Sequence, residues 1–320
     1  MHHLVVVVGP TAVGKSALAY AIAPELRGEI VSADSRQVYR HMDVGTAKPT
    51  REEQARVRHH VIDVVDPDGE YTLATYQADA YRAIEDVHRR GGLPLLVGGT
   101  GLYVRAVVAG LGIPRVAPQP EIRAELEARL ALEGVESLAR ELDALDPVAA
   151  ASIDRRNPRR LIRAIEVCRA SGRPISALQT AQPPPYQVLT IGLTRDREAL
   201  YQRIDERVDE QVRDGLIEEN RRLLDLGYTY DLPSMSGLGY RQIGLYLRGE
   251  VTLPRALEIL KFETHRFARQ QYNWFRLDDE SIRWLTSGPD AAETSLRLIQ
   301  RFLGSESAES DGAEGRSGEA

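Results

Sequence analysis

Cysteine and long apolar segments are scarce in this 320-residue sequence. Cys168 is the single cysteine, so the chain cannot form an internal disulfide, and its helical spacing from Leu161 and Ile165 predicts a buried structural thiol. No apolar run approaches the roughly 20 residues of a membrane-spanning helix. The first residues also lack the basic start and the cleavage site of a signal peptide. We therefore expect no membrane association and a cytoplasmic location.

An excess of basic residues is also missing, because the net charge is −6 at pH 7. This balance alone argues against a nucleic-acid-binding protein. However, residues 304–320 hold five acids and one arginine, and removing their net charge of −4 leaves about −2 for the rest of the chain. Local clusters of charge therefore matter more than the total. Residues 304–320 offer no large apolar residue to bury, and we predict a disordered acidic tail there.

Apolar runs of strand length alternate with helical patterns in most of the chain. Strands that alternate with helices predict an α/β fold, with a parallel sheet and helices on both faces. Residues 115–185 hold no strand-like run, so we predict a helical insertion domain there, between the core segments 1–114 and 186–303. The strand-like runs lie at 4–8, 29–33, 60–65, 94–98, 188–193 and 281–285.

The segment LVVVVGPTAVGKSALA, residues 4–19, places a glycine-rich loop between a buried strand and a helix. Its G-x-x-x-x-G-K-S pattern is typical of the phosphate-binding loop of P-loop NTPases. Backbone N–H groups in such a loop face phosphate oxygens, and the positive end of the following helix adds to the attraction. Lys15 is expected to neutralise phosphate charge, and the Ser16 hydroxyl is the expected ligand of Mg2+. The predicted phosphate-binding residues are Gly9, Pro10, Thr11, Ala12, Val13, Gly14, Lys15 and Ser16.

Two other predicted strands end in residues suited to chemistry. Ligands of open parallel sheets bind beyond the carboxyl ends of the strands. Asp34 follows the second strand, where an acid can orient Mg2+, accept a proton from an attacking group, or cap a helix. Gly98 and Gly99 follow the fourth strand and permit close backbone approach, and Thr100 is expected to point into the cleft.

Two other features have ordinary structural interpretations. His59 and His60 lack a third ligand at metal spacing, so packing or hydrogen bonding is favoured over a zinc site. Arg156, Arg160 and Arg163 share one face of a predicted helix, which is typical either of a solvated surface or of an RNA contact.

Taken together, seven stretches resemble the tRNA dimethylallyltransferases, the tRNA isopentenyltransferase family. They are GPTAVGKS, DSRQVYRHMDVGTAKPT, HHVIDVVDP, VGGTGLY, NPRRLIRAIEV, SMSGLGYRQI and FARQQYNWFR, between residue 4 and about residue 285. Two positions depart from the family's usual pattern. Arg36 stands where a methionine is usual, and Gln270 stands where a basic residue is usual, which could weaken one contact with the tRNA backbone.

The resemblance implies transfer of a dimethylallyl group from dimethylallyl diphosphate to tRNA. The acceptor is the exocyclic N6 amine of the adenine 3′-adjacent to the anticodon, in tRNAs that read codons beginning with U, and diphosphate is released. The resemblance makes Asp34 the general base and places Thr11, Thr100 and Lys15 at the reacting centre. It also places Arg203 or Arg207 at the diphosphate, without choosing between them.

The resemblance further implies a monomer that binds the anticodon stem-loop and extrudes the target base from its stack. It assigns tRNA contacts both to the core and to the predicted insertion domain. The implied tRNA-binding residues are Asp34, Ser35, Arg36, Gln37, Thr100, Arg123, Arg159, Arg160, Leu161, Ile162, Arg163, Tyr240 and Arg241.

Three other functions share the phosphate-binding loop. A P-loop kinase for a small molecule would use Asp34 to activate a hydroxyl and would consume ATP. An adenylate prenyltransferase would modify a free nucleotide, but it would need neither the long helical insertion nor its basic helix face. A non-enzymatic nucleotide switch would leave Asp34 and the GGTGLY segment unexplained.

Overall fold

A computed structural model describes the backbone of residues 2–310 and the side chains of residues 2–304. These residues form one six-stranded sheet in the order β3-β2-β4-β1-β5-β6, and every neighbouring pair is parallel. The strands are β1 His2–Val8, β2 Gly28–Ser32, β3 His59–His60, β4 Leu93–Val97, β5 Tyr186–Thr194 and β6 Ile282–Thr286.

Helices occupy most of the remaining described chain. Two short 3-10 helices, Pro24–Leu26 and Ser234–Ser236, supplement the α-helices. The α-helices are α1 Lys15–Ile22, α2 Arg51–Arg56, α3 Leu73–Arg89, α4 Gly101–Val108, α5 Pro120–Glu133, α6 Val135–Leu145, α7 Pro147–Ser152, α8 Pro158–Ser171, α9 Ile175–Leu178, α10 Arg197–Arg213, α11 Leu216–Asp225, α12 Tyr240–Leu247, α13 Leu253–Gln271 and α14 Ala291–Ser310. None of the helices within residues 2–310 combines the length and apolar character of a membrane span.

Strand β1 explains why the sheet is covered on both faces. Its residues from Leu4 to Val8 have no solvent-exposed surface. Successive side chains of a strand point to opposite faces. Leu4, Val6 and Val8 therefore pack into one core with α3 and α4, whereas Val5 and Val7 pack into another with α1 and α14. A continuous apolar run is the pattern that two buried faces require. The predicted parallel α/β sheet is confirmed.

The third strand is much shorter than the predicted run at 60–65. It ends at His60, because Val61 and Asp63 adopt positive φ angles of 61° and 54°, which an extended strand does not allow. The His59 Nδ1 atom donates to the Val57 carbonyl oxygen at 2.7 Å, and the His60 Nε2 atom lies 2.6 Å from a carboxylate oxygen of Glu29. Both histidines thus have the hydrogen-bonding role that the sequence favours.

Residues Ala109–Pro184 form a separate compact unit, and the remainder of the chain forms the other. The smaller unit contains α5 to α9 and has its own apolar core, which includes Leu126, Leu138, Leu142 and Ile165. Cys168 is buried in that core, and this burial raises the pKa of its thiol, as expected for a structural cysteine.

The last helix differs from the prediction at the C-terminus. Helix α14 continues to Ser310, seven residues into the segment predicted to be disordered from residue 304. Extending an existing helix costs far less than nucleating one, because each added residue gains a backbone hydrogen bond. The predicted disorder of residues 311–320 lies outside the described residues.

Candidate active site

The phosphate-binding loop joins β1 to α1, as the sequence predicts, and two glycines fix its path. Gly9 has a φ of 140°, and a Cβ atom there would lie 2.4 Å from the Leu193 carbonyl oxygen of β5. Gly14 caps α1 in the left-handed conformation, with a φ of 109°. Neither position tolerates a side chain without strain. The loop is therefore held against the sheet at the N-terminus of a helix, where anions bind.

Lys15 is the first residue of α1, and its side chain folds back onto this loop. Its Nζ atom donates hydrogen bonds to the carbonyl oxygens of Gly9 at 3.0 Å and Pro10 at 2.7 Å. Burial, followed by the nearby charge of Arg207, lowers the pKa of Lys15 to about 7, while the Asp34 carboxylate opposes this shift. A bound anion would favour the charged amine, so Lys15 suits a site that binds phosphate groups.

The two arginines of α10 differ in their partners. The Arg207 Nη1 atom lies 3.4 Å from the Thr11 hydroxyl oxygen, and burial lowers the pKa of this guanidinium. Arg203 instead donates to carboxylate oxygens of Glu206 at 3.5 Å and Glu210 at 2.9 Å. The geometry therefore favours Arg207 as the arginine at the phosphate-binding loop.

Asp34 and Thr100 stand side by side at the ends of β2 and β4. The Asp34 Oδ1 atom accepts the Arg36 backbone N–H at 2.8 Å, and the Thr100 hydroxyl oxygen accepts the Ser35 backbone N–H at 3.0 Å. Asp34 thus caps a turn, and no helix begins beside it. The two strand ends approach so closely that a Cβ atom on Gly98 would lie only 2.1 Å from the Ala33 carbonyl oxygen. The absence of a side chain at Gly98 permits this approach.

Two cavities meet at the phosphate-binding loop. The smaller, of about 320 Å³, is lined by Asp34 and Thr100, whereas the larger, of about 1010 Å³, is lined by Arg203. Lys15, Ser16 and Arg207 line both. The groups suited to phosphate therefore lie between an acid on one side and an open cavity on the other.

Sequence reasoning missed one residue of this site, Gln271 at the end of α13. Its side-chain oxygen accepts the Thr11 backbone N–H at 2.7 Å, and its side-chain nitrogen donates to the Gly99 carbonyl oxygen at 2.8 Å. The Thr11 N–H group is consequently engaged within the protein, whereas its hydroxyl lies near Arg207, and phosphate binding by Thr11 stays a prediction. The FARQQYNWFR stretch was a signal for this residue, but the sequence drew attention to its neighbour Gln270.

Comparison with known proteins decides the family. The model of the IPP transferase family matches residues 37–278. The chain belongs to the IPP transferase family. The tRNA dimethylallyltransferase of Roseiflexus sp. (strain RS-1) is 56% identical over 300 residues, which cover 94% of this chain and 98% of that protein. The tRNA dimethylallyltransferase of Thermomicrobium roseum is 49% identical over 315 residues, which cover 98% and 96% of the two chains.

Solved structures agree with this assignment to the IPP transferases. The tRNA isopentenylpyrophosphate transferase of Bacillus halodurans is 40% identical and has a TM-score of 0.70, covering 98% of this chain and 99% of that one. A eukaryotic dimethylallyltransferase acting on tRNA has a TM-score of 0.82 at 24% identity, covers 95% and 80% of the chains, and supports the fold alone. The predicted family, enzyme class and overall reaction are confirmed.

Within this IPP transferase, Tyr240 has a structural role. Only 1% of the residue is exposed, and its hydroxyl donates to the Glu219 side chain at 2.7 Å. Glu219, which is fully buried, also accepts the backbone N–H groups of Asp43, Val44 and Gly45 at 2.8, 2.8 and 3.0 Å. The tRNA contact implied for Tyr240 therefore has almost no exposed side-chain surface to use, because hydrogen bonding to a buried carboxylate holds the ring inside.

Three other predicted tRNA contacts in the larger unit have protein partners. Arg36 donates to the Pro233 carbonyl at 2.9 Å, and Arg241 forms an ion pair with Glu263. The Gln37 side-chain nitrogen donates to the Ala47 carbonyl oxygen at 3.2 Å. Each of these side chains still lies partly or fully at the surface, so a role in tRNA binding stays a prediction.

The predicted tRNA contacts in the smaller unit fall into two groups, residues held by protein contacts and exposed arginines. Leu161 and Ile162 are only 1% and 8% exposed, so their side chains pack in the core and cannot supply the predicted contact. Arg123 and Arg163 bind opposite oxygens of the fully buried Glu166, at 2.7 and 2.6 Å. Core packing therefore accounts for Leu161 and Ile162, and pairing with the buried Glu166 accounts for Arg123 and Arg163.

Arg159 and Arg160 behave differently from these residues. Both are exposed in the first turn of α8, after the Asn157 side chain that caps this helix. Within the described part of the chain, neither guanidinium makes a hydrogen bond or an ion pair. Their charges are therefore available to a phosphate backbone.

The side chains at the phosphate-binding loop offer few ligands for a metal ion. No group of three or more His, Cys, Asp or Glu residues among those described is arranged to hold a metal ion. Ser16 is exposed in the first turn of α1 and lines the same cavity as Asp34. One hydroxyl and one acid suit Mg2+, which retains several water ligands and binds substrate phosphates rather than an all-protein cage.

Proposed function

We propose that this IPP transferase moves the dimethylallyl group of dimethylallyl diphosphate to the N6 amine of the adenine 3′-adjacent to the anticodon. Its tRNA substrates are those that read codons beginning with U. The observation that carries this proposal is the common cavity of Asp34, Thr100, Lys15 and Arg207. The acid proposed to accept the amine proton and the cations proposed to stabilise the leaving diphosphate therefore line the same cavity.

In the reaction, the bond between the allylic carbon and the diphosphate oxygen breaks, and its electron pair leaves with diphosphate. A bond forms between that carbon and N6 of adenine. The Asp34 carboxylate takes the proton that N6 loses, which keeps the product amine neutral. Thr100, fixed by Ser35, lies beside Asp34 and orients the adenine.

The departing diphosphate gains negative charge as the bond breaks. The N–H groups of the phosphate-binding loop, the Lys15 amine and the Arg207 guanidinium stabilise that charge more strongly than they stabilise the bound donor. Bound Mg2+, held by Ser16, would supply further neutralisation of the phosphate oxygens. The Thr11 hydroxyl, 3.4 Å from the Arg207 Nη1 atom, is the proposed contact to the phosphate next to the reacting carbon.

The tRNA substrate needs contacts outside this cavity, because extruding the target base from its stack costs a few kcal/mol. Arg159 and Arg160 are the candidates in the smaller unit, since their charges are exposed and have no protein partner there. A monomeric enzyme in the cytoplasm remains the expected setting.

The test of this function is a transfer assay. Wild-type protein is incubated with radiolabelled dimethylallyl diphosphate, Mg2+ and unmodified tRNA, and label in the tRNA is counted. Label in tRNA supports the proposal. Label transferred to AMP but not to tRNA would identify an adenylate prenyltransferase, and ATP consumption without transfer would identify a kinase.

The lowered pKa of Lys15 predicts that diphosphate binding takes up a proton. Its pKa is about 7 in the free site, and the bound anion raises that value, so between the two values each binding event protonates Lys15. Diphosphate binding should therefore weaken as the pH rises above 7. Well below pH 7, Lys15 is already charged in the free site, so its contribution to the pH dependence of binding should vanish.

Calorimetry of inorganic diphosphate in two buffers of different ionisation enthalpy, at pH 8, measures this uptake. The Lys15→Arg variant keeps a permanent charge, and titration of diphosphate itself contributes equally in both proteins. Wild type should take up more protons than the variant, by up to about one per site. Equal uptake would mean that Lys15 is already charged in the free enzyme.

If Arg159 and Arg160 contact tRNA phosphates, removing them should weaken tRNA binding and make it less sensitive to salt. Replacing both Arg159 and Arg160 by Ala should weaken tRNA binding and lower the slope of log affinity against log salt by about 2, one for each phosphate contact. Filter binding over a salt series measures the slope. Arg140→Ala, which removes another exposed arginine of the same unit, is the matched control and should leave the slope unchanged. An unchanged slope in the double variant would place the tRNA elsewhere.

A further inference from the structure

Gln271 uses both ends of its side-chain amide to join two loops that are distant in sequence. Its oxygen accepts the Thr11 N–H at 2.7 Å, and its nitrogen donates to the Gly99 carbonyl at 2.8 Å. The residue is only 4% exposed. It therefore ties the loop after β1 to the loop after β4, at the edge of the sheet where the two substrates are proposed to meet.

The surroundings leave this amide little freedom. A Cβ atom on Gly99 would lie 2.3 Å from the Gln271 side-chain nitrogen, so only glycine permits the contact. The Gln271 main-chain carbonyl is itself fixed, because it accepts the N–H groups of Trp274 and Phe275, both at 3.0 Å. Main chain and side chain are thus held independently.

The two tied loops carry opposite halves of the proposed reaction. Thr11 lies on the diphosphate side, with its hydroxyl 3.4 Å from Arg207. Gly99 precedes Thr100, whose hydroxyl oxygen accepts the N–H of Ser35, next to Asp34. Under the proposed function, the distance between these loops would set the distance between the allylic carbon and the adenine amine.

We propose that Gln271 is a positioning residue that fixes this distance, an inference that rests on the proposed function. Gln271 lines the same cavity as Asp34 and Lys15, but both polar atoms of its side-chain amide are engaged by Thr11 and Gly99, so we expect it to act through these two loops. An amide suits this place because it offers one acceptor and one donor at the end of a single side chain. A carboxylate accepts from Thr11 but cannot donate to Gly99, and a thioether does neither well.

The first test is Gln271→Met, which keeps the length and removes the amide. A misplacement of about 1 Å can cost about 10²-fold in rate. We expect kcat for transfer to tRNA to fall by about that factor, with little change in the affinity for inorganic diphosphate or in KM for tRNA. Gln77→Met is the matched control, because Gln77 also donates its amide to a backbone carbonyl, that of Ala106 at 2.6 Å, away from the cavities. Its kcat should match wild type.

The second test is Gln271→Glu, which restores the donor only when the carboxyl is protonated. Burial raises the pKa of a carboxyl, so its protonated fraction grows as the pH falls from 8.5 to 6. We expect the ratio of kcat for this variant to kcat for wild type to rise over that range, while the ratio for Gln271→Met stays flat. Lys15, Asp34 and Arg207 line the same cavity in every protein compared, so the ratio to wild type removes their contribution.

The outcomes separate the two proposals. A wild type that transfers no label overturns the proposed function. An active wild type with Gln271→Met at full kcat, or with a kcat that falls only in proportion to folded protein by circular dichroism, overturns the role of Gln271 alone. If Gln271→Met does not fold, a flat pH ratio for Gln271→Glu still overturns it.

Discussion

Replacing Asp34 by Asn should lower kcat for prenyl transfer to tRNA by about 10²–10⁴-fold, the usual contribution of a general base. The amide keeps the shape of the side chain and can still accept the Arg36 N–H, which the Asp34 Oδ1 atom accepts at 2.8 Å. It cannot take a proton from the adenine amine. Stability and diphosphate binding should therefore change little while the chemical step slows.

Single-turnover kinetics with labelled dimethylallyl diphosphate and saturating tRNA would measure this effect. Asp66→Asn is the matched control, because Asp66 forms a half-exposed ion pair with Arg40 and does not line either cavity. Its rate should equal that of wild type. If Asp34→Asn retained the wild-type rate, the proton would leave by another route, and the role given to Asp34 would be wrong.

Replacing Lys15 by Met should lower kcat/KM for dimethylallyl diphosphate by about 10²–10³-fold, as expected when one group that stabilises the departing charge is lost. Binding of inorganic diphosphate should weaken as well, because the same amine holds the product. The Gly9 and Pro10 carbonyls lose their Nζ donor, so some loss of loop order should accompany the loss of charge.

Steady-state kinetics at varied donor concentration and fixed tRNA would measure this change. Lys261→Met is the control, since Lys261 of α13 pairs with Asp209 of α10 at 2.7 Å and lines neither cavity, so kcat/KM should stay unchanged. A small effect of Lys15→Met on kcat/KM, combined with normal diphosphate binding, would show that the leaving group lies outside the phosphate-binding loop.

The parts of the site that the sequence predicts correctly depend on local constraints. Gly9 and Gly14 stand where positive φ angles are needed, so their spacing identifies the loop without knowledge of the tertiary structure. Asp34 and Thr100 follow two apolar strands, and parallel strands bring their carboxyl ends to one edge of the sheet. Strand identity and one topological rule were enough to place these residues together.

The parts that the sequence could not predict depend on distant partners. Gln271 reaches Thr11 across 260 positions, and no local pattern reports such a contact. The family resemblance implies a tRNA contact at Tyr240, but its ring is buried and its hydroxyl donates to Glu219. Val61 takes a φ of 61°, against the strong preference of a β-branched residue, and so ends β3 early. In each case the surrounding structure overrides the local preference.

The carboxylate of Glu219 also bears on how this enzyme distinguishes anions. Three successive N–H groups, those of Asp43, Val44 and Gly45, converge on it, much as a concave run of backbone amides converges on a phosphate. Asp43 and Val44 line the larger cavity, so an unfilled concavity there would compete for diphosphate. The Glu219 side chain fills this concavity instead, so these three N–H groups are not available to an anion that enters the larger cavity.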